Sequence, residues 1–214
     1  MNWQEFWALL ALATAMSFTP GPNTALSTAL AANHGLRRAL PFVCAVPVGW
    51  ALLLLVCALG LGALVLLLPV LRWGIKLIGV AYLLWLAARL AGVVWPSVAG
   101  RPAAPASLGA LAQQPWRLFA QGVALQFVNI KAWMLALAIV GGWVTGLPNP
   151  AQRMALVLPV MLVYAFASNL SYAWVGALLR AWLDGPHGSG RRLRWFNRAM
   201  AALLGVTALW MLWL

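Results

Sequence analysis

The chain has 214 residues, 64% of them hydrophobic and 7% charged, with a mean hydropathy of +0.91. Ordinary soluble domains are about a quarter charged, so this composition excludes one and predicts an all-α, polytopic membrane protein. Fourteen Lys and Arg against two Asp and Glu give a net charge of +12, but they fall between long apolar runs, which argues membrane topology and not a nucleic-acid-binding face.

A membrane span needs about 20 apolar residues. Six runs qualify, at roughly 4–30, 40–66, 71–92, 118–142, 154–179 and 196–214. The first opens with Glu5 and no basic residue, so it is expected to be a span and not a secretory signal. Within it stands Pro20-Gly21-Pro22-Asn23. Two prolines and a glycine in four residues interrupt a helix, and the freed backbone groups cannot face lipid. The break therefore lies outside the bilayer, is a kink covered by neighbouring helices, or lines a protein-walled cavity. In the last case, Thr24–Ala32 forms a second short helix. Its first amides suit a carboxylate, and Asn23, Ser27 and Thr28 add polar partners.

The second run holds Cys44 and Cys57, which read as small buried apolar residues and not as a disulfide pair or metal ligands. In the third run, Gly79 and Tyr82 predict close packing and an interhelical hydrogen bond. The stretch 93–117, with Pro96, Pro102, Pro105 and Pro115, reads as a cytoplasmic linker with a short surface helix near 108–112. It separates a first membrane half, 1–92, from a second, 118–214, each with three spans. Halves with an odd number of spans insert in opposite directions, which is the inverted-repeat plan of many secondary transporters.

The fourth run is polar in its middle, with Gln121, Gln126, Asn129 and Lys131. Lys131 is too deep to snorkel, and a central charge costs at least ~2.5–3.5 kcal/mol and marks a functional position by default. Desolvation favours a neutral amine, which makes Lys131 the candidate for proton coupling. Two other readings stand beside this one: a helix broken near Asn129 that puts the amine in water, or a purely structural lysine. In the fifth run, Tyr164, Ser168, Ser171 and Tyr172 share one helical face. They either line a pathway or bond a neighbouring helix. Glu5 and Asp184 lie near or beyond span ends, and His34 and His187 fall in loops. That leaves no acid–base pair for an intramembrane enzyme and no ligand set for a metal or cofactor.

Charge sets the topology. Arg37 and Arg38 follow the first span, Arg89, Arg101 and Arg117 the third, and Arg180, Arg191, Arg192, Arg194 and Arg198 the fifth. The opposite side has only Arg72, Lys76 and Arg153. Short basic loops stay in the cytoplasm, so both termini are predicted on the outer side.

Thr19-Pro20-Gly21-Pro22-Asn23 resembles the first-span motif of the LysE/RhtB family of amino-acid exporters. His34-Gly35-Leu36-Arg37-Arg38, the run Leu77–Leu84, Phe119 and Gly122 with Asn129-Ile130-Lys131, and Trp195-Phe196-Asn197-Arg198 are similar to later motifs of that family. The resemblance covers nearly the whole chain. It implies a multi-pass inner-membrane exporter of small amino-acid-like solutes, driven by the proton gradient or membrane potential, and a homodimer. Ile130 stands where the family has proline, which predicts a softer or absent second break. Ala39 and Ala45 stand where glycines are common, and Trp50 replaces a smaller or polar side chain and narrows the pathway.

The reading that results is alternating access of two halves around a site formed by Pro20, Gly21, Pro22, Asn23, Ser27, Asn129, Lys131, Tyr164 and Ser168. No membrane carboxylate is present to hold a second ammonium, and Lys131 repels one, so neutral or zwitterionic solutes are expected. The competing classes are a non-transporting membrane scaffold or subunit and, more remotely, an intramembrane enzyme.

Overall fold

The computed structural model describes residues 1–92, 114–184 and 190–213. Among them there are nine helices and no strand. These are α1 (Trp3–Phe18), α2 (Pro22–His34), α3 (Leu36–Ala58), α4 (Leu61–Leu67), α5 (Pro69–Leu90), α6 (Pro115–Val128), α7 (Ile130–Trp143), α8 (Pro150–Asp184) and α9 (Arg191–Trp213). Helices α3, α5, α8 and α9 are each long and apolar enough to cross a membrane, and α6 with α7 makes a fifth candidate, bent by 66°. The chain is a multi-pass membrane protein.

Several expected boundaries shift for local reasons. The basic connection after the first run shrinks to Gly35, whose φ of +86° ends α2 and starts α3. His34, expected in a loop, is the last residue of α2. The second run divides at Leu59–Gly60, with Gly60 at φ +88°, into α3 and the short α4. Pro115 takes the first turn of α6, where its missing N–H has no partner to lose, so the fourth run starts three residues early. The short helix expected near 108–112, and His187, lie outside the described residues. Lys76, counted above with an outer connection, sits two turns into α5, buried, with its amine 4.6 Å from the Trp73 ring centroid.

The distribution of polarity is the reverse of a soluble bundle. Helix α2 carries Thr24, Ser27 and Thr28, yet it is buried from Thr24 through Ala32. Leucines, valines and tryptophans instead cover the outer surface. Exposed Trp3, Trp7, Trp73, Trp116, Trp182, Trp195 and Trp213 all lie within two turns of a helix end, where indoles suit the membrane–water interface. Arginines 89, 117, 192 and 198 stack over neighbouring tryptophans there.

Small residues set how closely the helices approach. A Cβ at Gly176 of α8 would overlap the Thr28 carbonyl oxygen of α2. One at Gly49 of α3 would meet the Val123 backbone of α6, and one at Gly122 would overlap Ala45. Gly79 of α5 lies against the Val128 carbonyl at the end of α6, and Tyr82 accepts a hydrogen bond from Gln121 Nε2 at 2.6 Å, so both third-run residues do what their types predict. Gly176→Ala is expected to lower stability by about 1–3 kcal/mol, because the obstacle is backbone and cannot rotate away. Gly141→Ala, where a Cβ meets nothing within 4 Å, is the control. Thermal unfolding in detergent reads both, and a Gly176→Ala protein as stable as the control would show that α2 and α8 are not packed this closely.

Candidate functional site

Helix α1 ends at Phe18 and α2 starts at Pro22, so Thr19–Gly21 is extended backbone between two short helices. A helix that stops inside a bundle leaves its last carbonyls without intrahelical donors. Side chains take them up. Thr19 Oγ1 donates to the Ala15 carbonyl. Ser168 Oγ donates to the Ser17 carbonyl, and the Tyr172 hydroxyl donates to that of Phe18 at 2.9 Å. Lys131 Nζ donates to the Thr19 carbonyl at 3.5 Å. On the other side of the break, Gly21 N–H donates to Thr24 Oγ1 at 2.9 Å, which closes the first turn of α2.

The second break falls at Asn129. It is sharp although Ile130 replaces proline. Asn129 is extended (φ −93°, ψ 101°), and its side-chain oxygen accepts from Lys131 N–H at 3.2 Å as the cap of α7. Trp133 Nε1 donates to the Phe127 carbonyl at 2.8 Å and satisfies the end of α6. The expected softening is absent because a cap and an indole donor hold the bend, and no proline is needed.

The two breaks meet. A Cβ on Gly21 would stand 3.6 Å from Lys131 Nζ. Asn23 and Gln126 exchange two hydrogen bonds, Nδ2 to Oε1 at 3.0 Å and Nε2 to Oδ1 at 3.1 Å. Between the breaks lies a cavity of about 60 Å³. One water needs ~10–15 Å³ of such space, so it holds a few waters or the polar head of a compact solute. Gly21, Pro22, Asn23, Asn129, Lys131 and Ser168 are in its wall. Trp50 is there too, and it is buried.

Three of the expected site residues are elsewhere. Pro20 is exposed and outside the cavity wall. Ser27 is buried one turn behind it and donates to Asn169 Oδ1 at 3.0 Å. Tyr164 lies further along α8, and its hydroxyl accepts from Thr14 Oγ1 at 3.1 Å. Of the four hydroxyls on this face of α8, those of Tyr164, Ser168 and Tyr172 tie α1, Ser171 donates back to the Ala167 carbonyl of its own helix, and only Ser168 also faces the cavity. Asn169, which the sequence reading passed over, lines the wall and is buried. The signal was available: an asparagine inside an apolar run carries a desolvation cost that needs a reason. It stood one position off the chosen stripe.

The LysE type translocator family matches residues 14–213. The chain is 32% identical over 204 residues to a protein of Klebsiella pneumoniae named cysteine/O-acetylserine efflux protein, covering 92% of this chain and 91% of that one. It is 25% identical over 210 residues to the homoserine/homoserine lactone efflux protein of Salmonella typhimurium, covering 95% and 93%. It is also 29% identical over 181 residues to an uncharacterized membrane protein of Pseudomonas aeruginosa, covering 83% and 82%. No solved structure gives a significant match. The chain belongs to the LysE type translocator family.

The Asn23–Gln126 pair gives a direct test of how the two breaks are joined. Each single alanine variant leaves the other amide without its partner across the breaks, whereas the double variant removes both amides. A double-mutant cycle is expected to give a coupling of about 0.6–1.7 kcal/mol, the range for polar pairs between membrane helices. Strictly additive losses on unfolding would mean that the two amides do not pair.

Proposed function

We propose that this LysE-family chain exports small, neutral or zwitterionic amino-acid-like solutes across the inner membrane. The observation that carries the reading is the meeting of two helix breaks, about 110 residues apart in sequence (Thr19 to Lys131), across a small cavity with one amine in its wall. The first turn of α2 lends partial positive charge to one side and Lys131 supplies a full charge on the other, an arrangement complementary to a carboxylate. The proposed site consists of Gly21, Pro22, Asn23, Asn129, Lys131 and Ser168, with Trp50 limiting solute size. Pro20 shapes the break, while Ser27 and Tyr164 support it from outside the wall.

Three of the four solutes in the relatives' names point the same way, homoserine lactone being the one without a carboxylate. Cysteine, O-acetylserine and homoserine are compact and have uncharged side chains at neutral pH or nearly so. A solute with a second ammonium would meet Lys131 with no carboxylate to offset it.

In this reading α1 with α2 forms a sixth, broken crossing. The chain then has two inverted three-span halves, 1–92 and 118–214, with both termini outside and the connection 93–117 in the cytoplasm. Transport runs by alternating access, coupled to the proton gradient or the membrane potential, and Lys131 is the group that couples. Loss or gain of its proton would change the charge facing both the solute and the Thr19 carbonyl.

Two measurements on reconstituted vesicles test this. Lys131→Met is expected to reduce coupled efflux of cysteine or homoserine by more than about tenfold, equivalent to ~1.4 kcal/mol. A methionine variant that exports at the unchanged rate would make Lys131 structural. Neutral amino acids should leave faster than arginine, and the opposite order would refute the charge argument.

A further inference from the structure

A second concave feature, separate from the cavity between the breaks, lies on the outer surface between α5 and α6. It is a groove of about 460 Å³ lined by Ile78, Tyr82 and Trp85 of α5 and by Ala120, Ala124 and Val128 of α6. Its lining is almost wholly apolar, and Ile78, Trp85, Ala120 and Ala124 are exposed to the surroundings of the helices. The one polar element on its floor, the Gln121–Tyr82 pair, is already hydrogen-bonded to itself at 2.6 Å.

Both walls end in arginine. On α5 the positions 78, 82, 85 and 89 follow the three- and four-residue spacing of one helical stripe, and so do 117, 120, 124 and 128 on α6. Arg89 is half-buried over the Trp85 ring, at 4.5 Å, and its Nη2 is buried with no hydrogen-bond partner among the described residues. Arg117 stacks on Trp116 in the first turn of α6. An apolar trough as long as several helical turns, with two guanidinium groups at one end, is complementary to an amphiphile with an anionic head.

The chain has few anions of its own to offer there. Its only acidic residues are Glu5 and Asp184. Glu5 is paired with Arg153 at 3.0 Å, and residues 93–113 contain no acidic side chain. A second copy brings the same shortage. We infer that the groove between α5 and α6 binds an anionic phospholipid of the bilayer, with an acyl chain along Ile78, Ala124 and Val128 and its phosphate between Arg89 and Arg117. Val128 is the last residue before the second break, and its carbonyl abuts Gly79. A lipid seated there braces α6 at the point where it bends.

The test uses the purified full chain in neutral detergent, stripped of lipid and titrated with phosphatidylglycerol or with phosphatidylcholine of the same acyl chains, with bound lipid counted by native mass spectrometry. Each arginine beside an anionic head favours it by roughly fivefold, so phosphatidylglycerol should be preferred by about 25-fold. The double variant Arg89→Gln, Arg117→Gln should bring that preference close to unity. The control Arg191→Gln, Arg192→Gln should leave it unchanged. Ala124→Phe, which fills the groove, should reduce binding of both lipids; if that variant does not fold, the arginine variants decide alone. Equal binding of the two lipids by the unaltered chain overturns the proposal. So does a preference that survives the loss of Arg89 and Arg117, or a dimer whose formation excludes lipid from the groove.

Discussion

A backbone carbonyl left free where a helix stops inside a bundle has to find a donor, because apolar neighbours offer none. In this chain that demand falls on the end of α1, and four side chains meet it: Thr19 from the break itself, Ser168 and Tyr172 from α8, and Lys131 from α7. Much of the surrounding structure follows. Helix α8 must pass close enough for short hydroxyls to reach, and Gly176 permits that approach against α2. Helix α7 must present its first turn to the same place, which requires the second break at Asn129.

The two breaks therefore stabilise one another. The proline-rich turn frees backbone groups that Lys131 and α8 then occupy, and the second break brings Lys131 within reach. The Asn23–Gln126 exchange ties the start of α2 to α6 just before the second bend. Neither break is a local defect covered afterwards. Each supplies a partner that the other lacks.

The charge pattern divides the molecule into two environments. At helix ends, arginines stack on exposed tryptophans. Between the two breaks, one lysine, Lys131, faces the Thr19 carbonyl. A lone cation among dipoles is the setting in which a small change in protonation or ligand has the largest electrostatic effect, because few other charges compensate it. This gives the proposed exporter a physical reason to keep Lys131 and to keep carboxylates out of its spans.

The sequence alone determined the membrane setting, the helical class, the first helix break and Lys131 as anomalies, and the family resemblance, because each rests on composition or on residues adjacent in the chain. It also gave Gly79 and Tyr82 their surroundings correctly, since size and hydrogen-bonding type leave few choices inside a bilayer. It did not separate cavity residues from caps. Tyr164, Ser168, Ser171 and Tyr172 share one face of α8, yet which of them reaches the cavity, which reaches α1 and which bonds only its own helix depends on the crossing position of two helices about 150 residues apart. Asn169 escaped for the same reason, and the sharp bend at Asn129 was hidden because its determinants, an amide cap and the Trp133 indole, act through three-dimensional geometry that a missing proline does not reveal. Local chemistry is written along the chain; the partner that completes it is fixed only when the helices pack.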